Sequence, residues 1–213
     1  MKRSLLICVG ESGSGKTSFI NKHLLTENLF HNLRSFTTRA KRPDEKENDK
    51  YFFVDETTFQ SQELVTNFWV NQDFWTPGKP KWQYGVPEFE IENNLGKNLV
   101  YDVIEPRYAR ELVEWFKKNK LCGDYDIKLA WFIPPIDNHI ADERANMPDD
   151  VAVRKTNTCT IYDILNAGFR PNFILCPRSE KIDSELLSYI GLLYNDFILM
   201  RELAEKDRNR PER

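Results

Sequence analysis

The stretch Ser4-Leu-Leu-Ile-Cys-Val-Gly10-Glu-Ser-Gly-Ser-Gly-Lys16-Thr17-Ser-Phe-Ile20 decides how the rest of the chain is read. The apolar run Leu5–Val9 is far too short for a membrane span or a signal-peptide core, and it leads straight into glycines. Such a run suits a strand buried on both faces of a parallel sheet. Gly10–Gly15 reads as a turn, and a helix is expected from Lys16 to about Leu25. Gly10–Thr17 fits G-x-x-x-x-G-K-[ST], the phosphate-binding P-loop. The chemistry needs each part. Glycines let backbone N–H groups close around a phosphate without interference from Cβ atoms. The helix that follows presents its positive end to the same anion. Lys16 would bridge β- and γ-phosphates, and the Thr17 hydroxyl would face Mg²⁺. The expected nucleotide contacts are therefore Gly10, Glu11, Ser12, Gly13, Ser14, Gly15, Lys16, Thr17 and Ser18.

Working outward, apolar segments alternate with helical patterns. Asn98–Ile104 reads as a second strand, Lys128–Ile133 as a third and Asn172–Cys176 as a fourth. Pro106–Lys118 has helical periodicity, with Ala109, Leu112, Val113 and Phe116 on one face. Asp149–Ala167 and Asp183–Leu203 are also expected to be helical. Tyr51–Val54 is a short β-like run, Asp55–Phe59 a helix start, and Thr76–Lys81 a loop by composition. This alternation predicts an α/β fold, a mostly parallel sheet with helices on both faces. Asp102 closes the second strand, where a carboxylate would hold magnesium-bound water as a Walker-B Asp does.

Bulk composition excludes several classes. At 213 residues, 40% hydrophobic and 30% charged, the chain is long and apolar enough to build its own core. A net charge of −3 argues against a nonspecific nucleic-acid surface. Cys8, Cys122, Cys159 and Cys176 are scattered and show no zinc-type spacing, so reduced thiols and a cytoplasmic location are expected. No membrane association is expected.

Ser35-Phe-Thr-Thr-Arg39-Ala-Lys-Arg42-Pro-Asp-Glu45, followed by Tyr51, resembles the guanylate kinase signature S-x-T-T-R-x-x-R-x-x-E…Y without a gap. Tyr84-Gly85 resembles that family's Y-G-T/S element. Leu99–Asp102 resembles its L-D-I-D strand end, Phe132–Pro135 its F-L-P-P, and Arg144–Val151 its lid sequence. The resemblance implies a P-loop kinase fold comprising a single domain, with a core of residues 1–34, 95–135 and 156–213, an acceptor-binding module of 35–94 and a lid of 136–155. It implies ATP-dependent phosphorylation of a nucleoside monophosphate with Mg²⁺, small-molecule nucleotide partners, and a monomer or small homo-oligomer. Ser35, Arg39, Arg42, Tyr51 and Tyr84 would bind the acceptor, while Arg144 and Arg154, with Lys16, would act on the transferring phosphates.

The resemblance fails at the base reader. The family's guanine-reading Glu lies nine residues before the Y-G pair, a position held here by Trp75. A shift caused by the Thr76–Lys81 insert would bring in Val70, Asn71 or Asp73. The second Asp of L-D-I-D falls on Ile104, with Glu105 one place beyond. Trp69, Phe74, Trp75 and Trp82 cluster nearby, as base-stacking or packing residues. The alternatives are thus a kinase of the same fold acting on a non-guanine or modified (deoxy)nucleotide or a phosphorylated sugar, and a non-catalytic interaction module.

Overall fold

The computed structural model describes residues 2–11, 13–25, 28–43, 45–46, 49–70, 81–133 and 159–175. The first strand, β1 (Arg3–Gly10), is the hub of a five-stranded parallel sheet. Its neighbours in the order β2-β7-β1-β8-β9 are β2 (His31–Asn32), β7 (Leu99–Val103), β8 (Tyr125–Phe132) and β9 (Phe173–Leu175). All pairings are parallel, with Leu5 opposite Leu99 and Ile127, and Cys8 opposite Asp102 and Ala130.

A strand apolar on both faces must be covered on both. Leu5, Ile7 and Val9 face α4 (Pro106–Lys118) and α5 (Ile161–Asn166) in one cluster. Leu6 and Cys8 lie in a second cluster with Phe19, Ile20 and Leu24 from the helix after the glycine loop. That helix begins as α1 (Lys16–Phe19) and continues as a π-helical turn, Ile20–Leu24. The wider turn leaves both Ile20 and Leu24 buried against the sheet. α4 buries Ala109, Leu112, Val113 and Phe116, as its periodicity predicts. Pro106 occupies its first turn, where a missing N–H costs nothing. Lys117 and Lys118 complement the negative helix end.

A second, four-stranded sheet has the order β4-β3-β6-β5. It comprises β3 (Ser35–Thr37), β4 (Tyr51–Phe53), β5 (Phe68–Val70) and β6 (Trp82–Gly85). Its register is Ser35 opposite Tyr51, Thr37 opposite Tyr84, and Phe68 opposite Tyr84. Side chains alternate along a strand and match directly across a ladder. One face therefore carries Ser35, Thr37, Tyr51, Tyr84 and Phe68. The other carries Phe36 and Phe52, whose rings lie 5.1 Å apart and pack on Phe89 of α3 (Glu88–Glu92). A short helix, α2 (Glu56–Gln60), follows β4, and Asp55 caps it by accepting a bond from the Thr58 N–H.

The expected helix over 149–167 is corrected at its start. Cys159 and Thr160 are not helical, and α5 begins at Ile161. The reason is a capping box: the Thr160 hydroxyl accepts from the Asp163 N–H, and the Asp163 carboxylate accepts from the Thr160 N–H. The expected helix over 183–203 lies outside the described residues, as does all of the expected lid, 136–155. β8 starts three residues earlier than the apolar run suggested, at Tyr125.

Phe116 is fully buried between Tyr125 and Trp115, with ring centroids 5.1 and 5.5 Å away. Truncation would remove that packing and leave a cavity. Phe116→Ala is expected to cost about 3–5 kcal/mol of unfolding free energy. Urea denaturation of both proteins, with equal m-values, checks this.

Candidate functional site

The site lies where the parallel strands end. Gly10 closes β1 with φ of 154°, and a Cβ there would lie 2.4 Å from the Phe132 carbonyl oxygen. No side chain fits between those two strands. Gly15, at φ of 88°, begins the helix. Within this loop the Lys16 amine donates to the carbonyl oxygens of Gly10 at 2.7 Å and Glu11 at 2.8 Å. It also lies 3.4 Å from the Ser14 hydroxyl and 3.9 Å from the Asp102 carboxylate. The Glu11 side chain is turned elsewhere, accepting from the Cys159 N–H at 3.3 Å. Thr17 and Ser18 are exposed on the first turn of the helix.

Asp102, expected only as a magnesium-water partner, is the most heavily engaged residue of the site. Its carboxylate accepts from the Thr17 hydroxyl at 3.1 Å and from the Lys50 ammonium at 2.5 Å. The same ammonium lies 3.1 Å from the Thr17 oxygen. Burial alone would raise the Asp102 carboxyl, but the charges of Lys50 and Lys16 and two hydrogen bonds hold it below its ordinary value. Burial pushes the Lys16 ammonium down, with Lys50 adding to the effect and Asp102 opposing it. Burial also works against the charge on Lys50, but Asp102 and Tyr51 outweigh it and raise that group.

The Thr17 and Asp102 oxygens suit a hard divalent cation, and a cationic group already sits on both. The residues therefore fit Mg²⁺. Among the described residues no group of three or more His, Cys, Asp or Glu could hold a metal ion without help. Further oxygens would have to come from a nucleotide and water.

The second sheet gathers the other expected residues. Arg39 is buried and donates from Nε to the Tyr84 hydroxyl at 3.1 Å. Its two terminal nitrogens grip Glu45 bidentately at 3.0 and 2.7 Å, and one also reaches the Ala40 carbonyl. Four of its five N–H groups are thus committed to the protein. Glu45 also takes the Arg42 backbone N–H at 2.8 Å and lies 3.4 Å from the Arg42 guanidinium. The Tyr51 and Tyr84 rings meet edge-on at 5.7 Å, with the Arg39 guanidinium 5.6 Å from the Tyr51 ring. Ser35 is buried beside Tyr51 on the same face. Arg39, Arg42, Tyr51 and Tyr84 therefore form one cup. The signature's regular spacing pointed to Glu45, but not to its work as the brace between two arginines.

Beside this cluster, Phe68 stacks between Tyr84, at 5.4 Å, and Tyr108, at 4.2 Å. Glu105 binds Arg107 at 2.6 Å. Trp69 lies opposite Gln83, and Trp82 opposite Val70. Ser12, Asn71, Asp73, Phe74, Trp75, Arg144 and Arg154 lie outside the described residues. Cys8, Cys122 and Cys159 are free thiols. Burial raises the Cys8 thiol and pushes that of Cys159 up to about 12, so neither is a ready nucleophile. No helix among the described residues is long and apolar enough to cross a membrane.

A strand, glycine loop and helix at the C-terminal end of the central strand of a parallel sheet, with a lysine seated in the loop, define a P-loop α/β protein. The sequence model of the family described as Guanylate kinase matches residues 2–68. A guanylate kinase of Bdellovibrio bacteriovorus is 26% identical over 202 residues, covering 88% of this chain and 100% of that protein. A guanylate kinase of Anaplasma phagocytophilum is 34% identical over 101 residues, covering 45% of this chain and 43% of that one. The crystal structure of guanylate kinase from Anaplasma phagocytophilum is similar with a TM-score of 0.48 and 16% identity, over 99% of this chain and 88% of that one. That last likeness is too loose to add to the topology. The similarity to guanylate kinases is thus strongest over the first third of the chain, residues 2–68, and extends at lower identity along the rest.

Glu45 gives the cup a pH signature. Burial works to raise its carboxyl, but the Arg39 and Arg42 hydrogen bonds and charges hold it below its ordinary value of 4.5. A depressed carboxyl stabilises the fold above its unfolded value, and that stability is lost as pH falls through the folded value. Glu45→Gln is expected to melt lower than the parent at pH 7. Between pH 5 and 3 its melting temperature should fall less steeply. Thermal melts across that window check the sign, and parallel curves would contradict it.

Proposed function

We propose that this protein transfers the γ-phosphoryl group of ATP to the phosphate of a nucleoside monophosphate, giving two nucleoside diphosphates. The observation that carries the reading is a pair of cationic cups tied to one carboxylate. Lys16 sits in the P-loop beside Asp102, and Lys50, next to the acceptor-cup residue Tyr51, binds the same Asp102.

The loop Gly10–Thr17 would hold the donor phosphates through its backbone N–H groups. Lys16 would leave the Gly10 and Glu11 carbonyls for β- and γ-phosphate oxygens. Thr17 and Asp102 would hold Mg²⁺, which when bound neutralises charge on those oxygens. Arg42, with the Tyr51 and Tyr84 hydroxyls, would take the acceptor dianion through charge-assisted bonds. Arg39 would add its charge and hold Tyr84 in place. An acceptor phosphate oxygen attacks the γ-phosphorus, and the bond from that phosphorus to the β–γ bridging oxygen breaks. The attacking oxygen is already ionised at neutral pH, so no general base is required. Arg144 and Arg154 belong to this proposal as the groups that close over the phosphates. The interaction-module alternative is disfavoured by Lys16 seated in the loop and by Thr17 held against Asp102. A cytoplasmic location goes with this reading.

Base recognition is where the chain departs from the guanylate kinase pattern. Ile104 carries no acceptor, and Glu105 is paired with Arg107. The ring faces of Phe68 and its stacked neighbours offer area without donor or acceptor preference. We infer relaxed or altered base selectivity.

Lys16→Ala should lower kcat by about 10²–10³-fold, because the lysine acts on charge that develops during transfer. Near-normal turnover of the folded variant would contradict the P-loop role. Arg42→Ala should raise the acceptor KM and leave ATP binding, measured by calorimetry without acceptor, nearly unchanged. Equal loss of ATP binding would place the arginine on the donor side. Across GMP, AMP, CMP and dTMP, kcat/KM should favour GMP by no more than about a hundredfold. A preference beyond about ten-thousandfold would show that a buried carboxylate reads guanine after all.

A further inference from the structure

We propose that Lys50 is a tethered cation that competes with the divalent metal ion for the Thr17 and Asp102 oxygens. The inference rests on the reading of those two residues as a metal site, and goes beyond it by assigning a residue that opposes metal binding.

Lys50 reaches Thr17 and Asp102 from another sheet. It immediately precedes β4, yet its ammonium lies 2.5 Å from Asp102 Oδ2 and 3.1 Å from Thr17 Oγ1. Both are the oxygens a divalent cation would use. A cation coordinated by Asp102 Oδ2 and Thr17 Oγ1 cannot share them with an ammonium already in contact with each, because like charges at contact repel strongly where solvent is scarce. Asp102 is only 8% exposed and Lys50 26%. Lys16 does not fill the same role. It is 3.9 Å from the other carboxylate oxygen, Oδ1, and donates mainly to backbone carbonyls. The buried carboxylate thus keeps a cation at all times, Lys50 before the metal ion enters and the metal ion afterwards. Because Lys50 adjoins Tyr51, its release would also loosen the tie between the acceptor sheet and the P-loop when the metal ion arrives.

The test uses Mn²⁺ as the metal probe in the presence of saturating ADP, with free Mn²⁺ followed by electron paramagnetic resonance. Lys50→Met removes the competitor and should tighten Mn²⁺ binding by about tenfold or more. Lys50→Arg keeps the charge and should stay near the parent. Unchanged or weaker Mn²⁺ binding in Lys50→Met would overturn the proposal and leave Lys50 as an ordinary ion-pair residue. Should Lys50→Met fail to fold, the parent protein still decides. Acetylation of Lys50, read by peptide mass spectrometry, should speed up when Mn²⁺ is added to the ADP complex. An unchanged or slower rate would overturn the proposal. Asp102→Asn separates the two levels. If it leaves Mn²⁺ affinity unchanged, the metal site itself is misassigned and this proposal falls with it. If it weakens Mn²⁺ binding while Lys50→Met changes nothing, only the role of Lys50 is wrong.

Discussion

A carboxylate removed from water stays charged only if positive groups surround it, and Asp102 is the residue on which that constraint falls. β7 sets its position beside β1, so that Asp102 pairs with Cys8 in the ladder two residues before the glycine loop. The helix after the loop brings Thr17 and Lys16 to it, and the second sheet brings Lys50. Three separate parts of the chain therefore converge on one charge. If Asp102 lost its charge, Lys16 and Lys50 would face each other across a buried space with nothing between them. The site's geometry follows from avoiding that repulsion.

The cluster of Arg39, Glu45, Tyr51 and Tyr84 obeys the same logic at smaller scale. Arg39 is buried, and its planar fork is satisfied by Glu45 on one side and Tyr84 on another. A lysine at that position could not reproduce the planar bidentate grip on Glu45 together with the Nε bond to Tyr84. The short strands of the second sheet would not be stable alone. They hold because Phe36, Phe52 and Phe89 pack behind them, with Arg34 lying 4.6 Å over the Phe52 ring. Arg34 in turn binds Glu90 bidentately, and His31 meets the same carboxylate at 2.7 Å. A second buried carboxylate thus fastens α3 to the segment between the two sheets.

Much of this was legible from residues alone, and for identifiable reasons. β1 and the loop after it declare themselves because an apolar run ending in glycines and Lys-Thr has few other uses. α4 is legible because thirteen residues allow a period to show. The seven-position signature named Arg39, Arg42, Glu45 and Tyr51, which the structure brings close together. β3 and α3 were not legible. Three residues such as Ser35-Phe-Thr37 carry no period, and Glu88-Phe-Glu-Ile-Glu92 alternates like a strand while folding as a helix. The start of α5 could have been found from Thr160 and Asp163, which have capping-box spacing. Lys50 could not. Its partners are 33 and 52 positions away in sequence, and nothing local distinguishes it from the solvated lysines around it. Nor could a count back from Tyr84 locate the base reader, because β5 ends at Val70 and β6 begins only at Trp82.

On the proposed reading, the P-loop and the cluster around Arg39 and Tyr84 meet through Lys50 and Asp102, and a phosphoryl group passes directly from one to the other. The most direct measurement follows that group. The protein is incubated with Mg²⁺, ATP labelled in its γ-phosphate, and a nucleoside monophosphate, and the products are separated. Label is expected in the β-phosphate of the acceptor's diphosphate, in equal amount to the ADP formed. Label appearing only as inorganic phosphate, whatever monophosphate is offered, would contradict it.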